Sequence, residues 1–145
     1  MSETSSATNP SDDVVKKILS TMKRIAVVGL SAKEDRASHG IARFLQGQGF
    51  EVIGVNPLLV GQDVLGLPIV GTLAEVPGAI DVVNVFRRSV TVPPVMEASI
   101  AVGATSVWLQ EEVVHEEATA KARQAGLEVV QDRCIYKEWL RLMND

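Results

Sequence analysis

Arg24-Ile25-Ala26-Val27-Val28-Gly29-Leu30-Ser31, followed after a polar loop by Ser38-His39-Gly40-Ile41-Ala42-Arg43-Phe44-Leu45, decides how this chain folds. An apolar run of strand length meets a glycine, and a helical pattern then begins. A buried strand, a tight turn and a helix in that order open a Rossmann-type domain, whose helix N-terminus attracts anions through its backbone N–H groups. The glycines depart from the dinucleotide pattern G-x-G-x-x-G, because after Gly29 the next glycine is Gly40. The turn therefore points to a nucleotide-like ligand and away from an ordinary dinucleotide site.

Strand and helix signals alternate outward from this unit. Residues 1–10, rich in Ser, Thr and Asn, read as a flexible tail. Ser11 can then cap a helix with Asp12 and Asp13 in its first turn and Val14, Ile18 and Met22 at helical spacing. After the Gly29 unit, Gly49 can close the helix bearing Ile41, Phe44 and Leu45. Glu51 to Val55 forms a second strand stopped by Asn56-Pro57, and a brief third lies around Pro68-Ile69-Val70. Thr72 and Glu75 fit a capping box for about one helical turn.

Asp81 to Phe86 is nearly continuous in apolar residues, as suits a parallel strand covered on both faces. A helix from near Pro93-Pro94, a strand at Ser106 to Leu109 and a helix over 113–125 with an Ala118, Ala122 and Ala125 face follow. The chain ends with a short strand at Leu127 to Val130 and a helix carrying Tyr136, Trp139, Leu140 and Met143.

These signals predict an α/β, Rossmann-like, doubly wound and mainly parallel sheet of five or six strands, with helices on both faces. The expected order is 3-2-1-4-5, extended by the sixth strand. Its ligand crevice lies between the ends of the first and fourth strands and gathers the loops after Val28, Val55, Val85 and Leu109.

Bulk properties narrow the partners. Residues 11–145 are long enough for one domain with a real core. A net charge of −4 opposes general nucleic-acid binding, which needs a broad basic face. There is no apolar run of membrane-span length and no signal-peptide pattern, and a lone Cys134 cannot make an internal disulfide. A cytoplasmic protein with a small-molecule ligand and no nucleic-acid or membrane partner is expected. Trp139 suits either the fold or the interface of a homo-oligomer; the sequence names no protein partner.

At the turn, the hydroxyls of Ser31 and Ser38, the N–H groups around Ser38, His39, Gly40 and Ile41, and the charge of Arg36 or Lys33 can together hold a phosphate. The same residues also make a plain strand-to-helix turn capped by Ser38. His39 can bind an anion or serve local hydrogen bonding. An NAD site places a carboxylate at the end of the second strand, where this chain has Val55-Asn56-Pro57. Asn56 can hydrogen-bond a ribose or base, and Pro57 gives a flat apolar edge. No Walker A sequence is present. In Phe86-Arg87-Arg88-Ser89, Phe86 can flank a ligand, Arg87 and Arg88 can bind phosphate, and Ser89 can cap the next helix. Alternatively, Phe86 closes the core and both arginines face water.

The chain resembles the small single-domain CoA-binding proteins related to the N-terminal CoA-binding domain of the succinyl-CoA synthetase alpha subunit. The resemblance rests on Ala26-Val27-Val28-Gly29-Leu30-Ser31, Arg36-Ala37-Ser38-His39-Gly40, Val55-Asn56-Pro57, Asp81-Val82-Val83-Asn84-Val85-Phe86-Arg87-Arg88, Trp108-Leu109-Gln110 and Asp132-Arg133-Cys134. It implies a CoA or acyl-CoA ligand. Gly29, Ser31 and Arg36 would lie near the phosphates, Asn56 and Pro57 near the adenosine end, and Phe86 with Arg87 beside the diphosphate or pantetheine. Ligase activity does not carry over, because the phosphohistidine and the nucleotide-binding partner subunit belong to regions outside this domain.

Catalytic patterns are sparse. His115 sits among Glu111, Glu112, Glu116 and Glu117 and reads as a solvated surface residue, with Glu117 and Lys121 spaced as a helix pair. Cys134 is either a buried structural residue or a thiol able to exchange disulfides with CoA. No triad or metal-ligand cluster is apparent. The sequence favours a binding or regulatory module without catalysis over a component of a CoA-thioester-using enzyme or an NAD-binding redox protein.

Overall fold

The computed structural model describes residues 9–143. Helix α1 (Asp12–Thr21) precedes strand β1 (Arg24–Val28), helix α2 (Ala37–Gly47) and strand β2 (Glu51–Val55). A 3-10 turn at Pro57–Leu59 leads toward β3 (Ile69–Val70), and another at Leu73–Glu75 toward β4 (Val82–Val85). A third at Ser89–Thr91 runs into α3 (Val92–Ala101), followed by β5 (Ser106–Leu109), α4 (Glu116–Gln124), β6 (Glu128–Val130) and α5 (Ile135–Met143).

Neighbouring strands all pair in parallel, in the order β3-β2-β1-β4-β5-β6. This is the expected Rossmann-like order, with β6 as its extension. Side chains alternate across the sheet. Ile25, Val27, Val82 and Trp108 pack with α1, α2 and α5, while Ala26, Val28, Val83, Val85 and Leu109 pack with α3 and α4. Cover on both faces explains the nearly unbroken apolar runs of the central strands. No helix among the described residues is long and apolar enough to cross a membrane.

Several details differ from the sequence reading. Helix α4 begins at Glu116, not near Val113, because His115 caps it: Ala118 N–H donates to His115 Nδ1 at 3.1 Å, and His115 N–H donates to Gln131 Oε1 at 2.8 Å. His115 is thus a half-buried cap and not a solvated helix residue. Lys121 pairs at 2.7 Å with Glu97 on α3, in place of the expected Glu117. The Thr72–Glu75 box forms, yet it starts only the 3-10 turn.

Trp139 packs edge-on against Phe44 and Phe50, with ring centroids 6.3 and 5.6 Å away. It therefore joins α5 to α2 within the molecule. Residues 1–8 of the expected tail lie outside the described residues. Asn9, also within that stretch, is tied to the end of β6, donating to Gln131 O at 2.9 Å and accepting from Gln131 N at 2.6 Å.

Candidate functional site

In a parallel sheet of this order, loops leaving the C-terminal strand ends converge where the chain reverses between β1 and β4. Gly29 stands at that point with φ +88°. Its N–H donates to Val55 O at 3.0 Å, and Phe86 N–H donates to Val28 O at 2.9 Å, so β1 is held on both sides at its last residue. A Cβ on Gly29 would collide with the Phe86 carbonyl oxygen and lie 3.1 Å from Arg87 Cδ. The glycine is required because two stretches of this chain's own backbone cross there.

Beyond the turn, the loop is held by its own side chains. Ser31 N–H donates to Ser38 Oγ at 3.0 Å, and Lys33 N–H donates to Ser31 Oγ at 3.1 Å. Ser38 is buried and lies one residue inside α2, so it braces the loop and does not cap the helix; Arg36 is the cap residue, without a side-chain bond. His39 is 5% exposed, and its Nδ1 is buried without a hydrogen-bond partner. Gly40 has open space where a Cβ would point.

Asn56 links two loops. Its Nδ2 donates to Leu30 O at 2.9 Å, and its Oδ1 accepts from Leu58 N–H at 2.9 Å. Both ends of the amide are therefore engaged within the protein. At the end of β4, alternation splits the next two residues: Phe86 packs against the core beneath α1, α2 and α5, while Arg87 emerges on the α3 side. Thr91 N–H and Oγ1 donate to Arg88 O at 2.9 and 2.7 Å, fixing the turn. Ser89 does not cap α3. Its Oγ donates to Glu112 O at 3.4 Å and accepts from Val114 N–H at 3.0 Å, joining the loops after β4 and β5.

These connections leave two neighbouring hollows. A groove of about 540 Å³ runs between the ends of β1 and β2 and the start of α3, lined by Val28, Val55, Pro57, Gly71, Thr72, Arg87, Val90, Pro94 and Val95 among others. Its rim is apolar, with Val90 76% exposed. A cavity of about 520 Å³ lies farther along the sheet, lined by Ala37, Gln110, Glu111, Glu112 and Asp132. Among the described residues, Arg36, Arg87 and Arg88 are exposed and make no ion pair.

Of the sequence candidates, Pro57 and Arg87 line the groove, and Gly29 sits beside Arg87. Ser31, Arg36, Ser38, His39 and Gly40 belong to the separate loop and helix start of α2. Val90 went unnoticed, although an isolated valine between Ser89 and Thr91 is the kind of signal that marks an apolar rim, and in sequence Pro94 and Val95 read only as parts of the next helix.

Residues 23–139 match a family described as the CoA binding domain. The chain belongs to that family. It is also 44% identical over 127 residues to the uncharacterised protein YneT of Bacillus subtilis, covering 88% of this chain and 93% of that protein. A hypothetical protein from Pyrococcus horikoshii OT3 is similar in structure with a TM-score of 0.89 and 33% identity, covering 94% of this chain and 95% of that one. A Thermus thermophilus protein, ID.343, superposes with a TM-score of 0.87 and 32% identity, covering 92% of this chain and 99% of that one. The CoA binding domain match takes in the whole sheet and both hollows, and starts one residue before β1. Helix α1 lies in front of the matched residues.

Proposed function

We propose that this protein binds CoA or an acyl-CoA thioester at the β1–β4 switch point and acts as a binding or regulatory module without catalysis. The observation that carries this reading is the unpaired, exposed Arg87 at the edge of an apolar groove in a CoA binding domain chain. CoA needs both properties, an anchor for diphosphate and apolar walls for the rest of the molecule. Arg87 supplies a fixed charge and paired N–H donors that match phosphate oxygens. Pro57, Val90 and Pro94 supply apolar surface. Arg88, one residue on, adds to the positive field.

Binding without turnover is favoured by the placement of the reactive side chains. His115 Nδ1 is engaged as a helix cap, and Cys134 is buried in the core. Calorimetric titration of ligand-stripped protein with CoA, acetyl-CoA, NAD and ATP tests the reading. Binding of CoA or acetyl-CoA in preference to NAD is expected. Clear NAD binding with no response to CoA would refute it, and turnover of acetyl-CoA by the isolated chain would replace the module with an enzyme.

A further inference from the structure

We infer that the cavity over Gln110 receives the acyl end of the bound thioester and sorts acyl groups by charge, accepting neutral or ammonium-bearing ones and rejecting carboxylates. This rests on the CoA reading above. Gln110 follows β5, is only 7% exposed and lines the cavity, yet its Oε1 has no hydrogen-bond partner. A buried amide left unpaired is costly, and such groups are commonly completed by a ligand or water. Its terminal torsion is broad and two-fold, so a modest rotation turns either amide atom toward a guest.

Charge at the cavity is negative. Glu111 is neutralised by Lys137 at 2.8 Å, but Glu112 and Asp132 have no ion pair among the described residues. The start of α2 at Ala37 contributes a positive partial charge of only about half a unit. Among the lining residues two full carboxylates outweigh it, and Arg36, next to Ala37 in the chain and without an ion pair among the described residues, offsets them only in part. Both residues also adopt left-handed backbone, with φ +70° at Glu112 and +56° at Asp132, and Glu112 N–H donates to Asp132 Oδ1 at 2.6 Å. The strained pair is thereby locked in place.

The cavity lies within reach of the groove. The loop after β4 lines the groove and is bonded through Ser89 to the loop after β5, which lines the cavity. Arg87 leaves β4, which lies one strand spacing, about 5 Å, from β5. A pantetheine arm can cross that distance, with its phosphates at Arg87 and its thioester beyond Ser89.

Titration with free CoA, acetyl-CoA, β-alanyl-CoA and succinyl-CoA tests the inference. Succinyl-CoA should bind about tenfold more weakly than acetyl-CoA. β-Alanyl-CoA should bind at least as tightly as acetyl-CoA. The double variant Glu112→Gln, Asp132→Asn keeps hydrogen-bonding atoms and removes both charges, so the acetyl-to-succinyl ratio should fall toward one. Should that variant not fold, the wild-type ratio must instead shrink at high salt, where exposed charges are screened. If free CoA binds but all three thioesters bind alike, or the ratio survives both charge removal and salt, the inference is overturned and the CoA reading stands. If neither free CoA nor any of the three thioesters binds, the CoA reading itself fails and the inference falls with it.

Discussion

Replacing Gly29 by alanine should destabilise the fold far more than one added methyl group suggests. The residue sits at φ +88°, where an L side chain costs about 1–2 kcal/mol. The new Cβ would also strike the Phe86 carbonyl oxygen. That carbonyl cannot retreat freely, because the same residue's N–H is bonded to Val28 O at 2.9 Å in the β1–β4 ladder. Overpacking of this kind adds about 1–3 kcal/mol. The sum is about 2–5 kcal/mol, or a fall in Tm of about 7–18 °C at the unfolding entropy usual for a domain of this size. Urea and thermal unfolding followed by far-UV circular dichroism measure it. Gly40→Ala is the internal control, since it lies within α2 with open space at its Cβ position and should gain about 0.5–1 kcal/mol. A Gly29→Ala protein as stable as wild type would refute the backbone-crossing argument.

Arg87→Ala should weaken CoA binding by about tenfold while leaving the unfolding midpoint unchanged, because the side chain is exposed and bonded to nothing in the protein; calorimetry with unaltered affinity would remove it from the site. Asn56→Ala loses the bonds to Leu30 O and Leu58 N–H and should cost about 1–3 kcal/mol in urea denaturation. Its conservative partner Asn56→Asp, which keeps the acceptor but not the donor, should fall between. Hydrogen bonding to Arg141 holds the Asp12 carboxyl below its ordinary 3.8, so this link between α1 and α5 supports the fold above that pH and is lost as pH falls through the lowered value. Asp12→Asn should therefore flatten the acid limb of a Tm-against-pH curve and have its largest effect above pH 3.8; an unchanged acid limb would show that the pair contributes nothing.

The fold was legible because periodicity and punctuation agreed along the chain. Ile25 to Val28 and, apart from Asn84, Val82 to Val85 are too continuously apolar for a one-sided sheet, and both prove to be central strands. Boundaries were less legible where the partner is remote in sequence. The start of α4 depends on Gln131 accepting the His115 N–H, and nothing near Val113 announces a bond across 16 positions. Trp139 likewise suited either the fold or an oligomer interface, since Phe44 and Phe50, which cover it, lie on another helix and the loop after it. Ser38, Asn56 and Ser89 spend polar atoms on the protein's own loops, and no local pattern announces those partners.

The Gly29 turn shows why the site was harder to read than the fold. In the three-glycine fingerprint, a tight turn brings the helix N-terminus onto the diphosphate. Here the loop 30–36 intervenes, α2 begins at Ala37, and that residue lines the acidic cavity while the groove has no residue of the loop or of α2. The helix field is thus displaced from the groove, and on the proposed reading phosphate binding would fall to side-chain charge. Arg87 follows directly from the buried strand β4, with its stem against the Gly29 crossing, whereas Arg36 is exposed at the far end of the loop. The two arginines should then differ sharply. Arg36→Ala should change CoA affinity by less than about twofold, set against about tenfold for Arg87→Ala. Equal losses in parallel calorimetric titrations would mean that the ligand bridges groove and loop, and would return the phosphate to the start of α2.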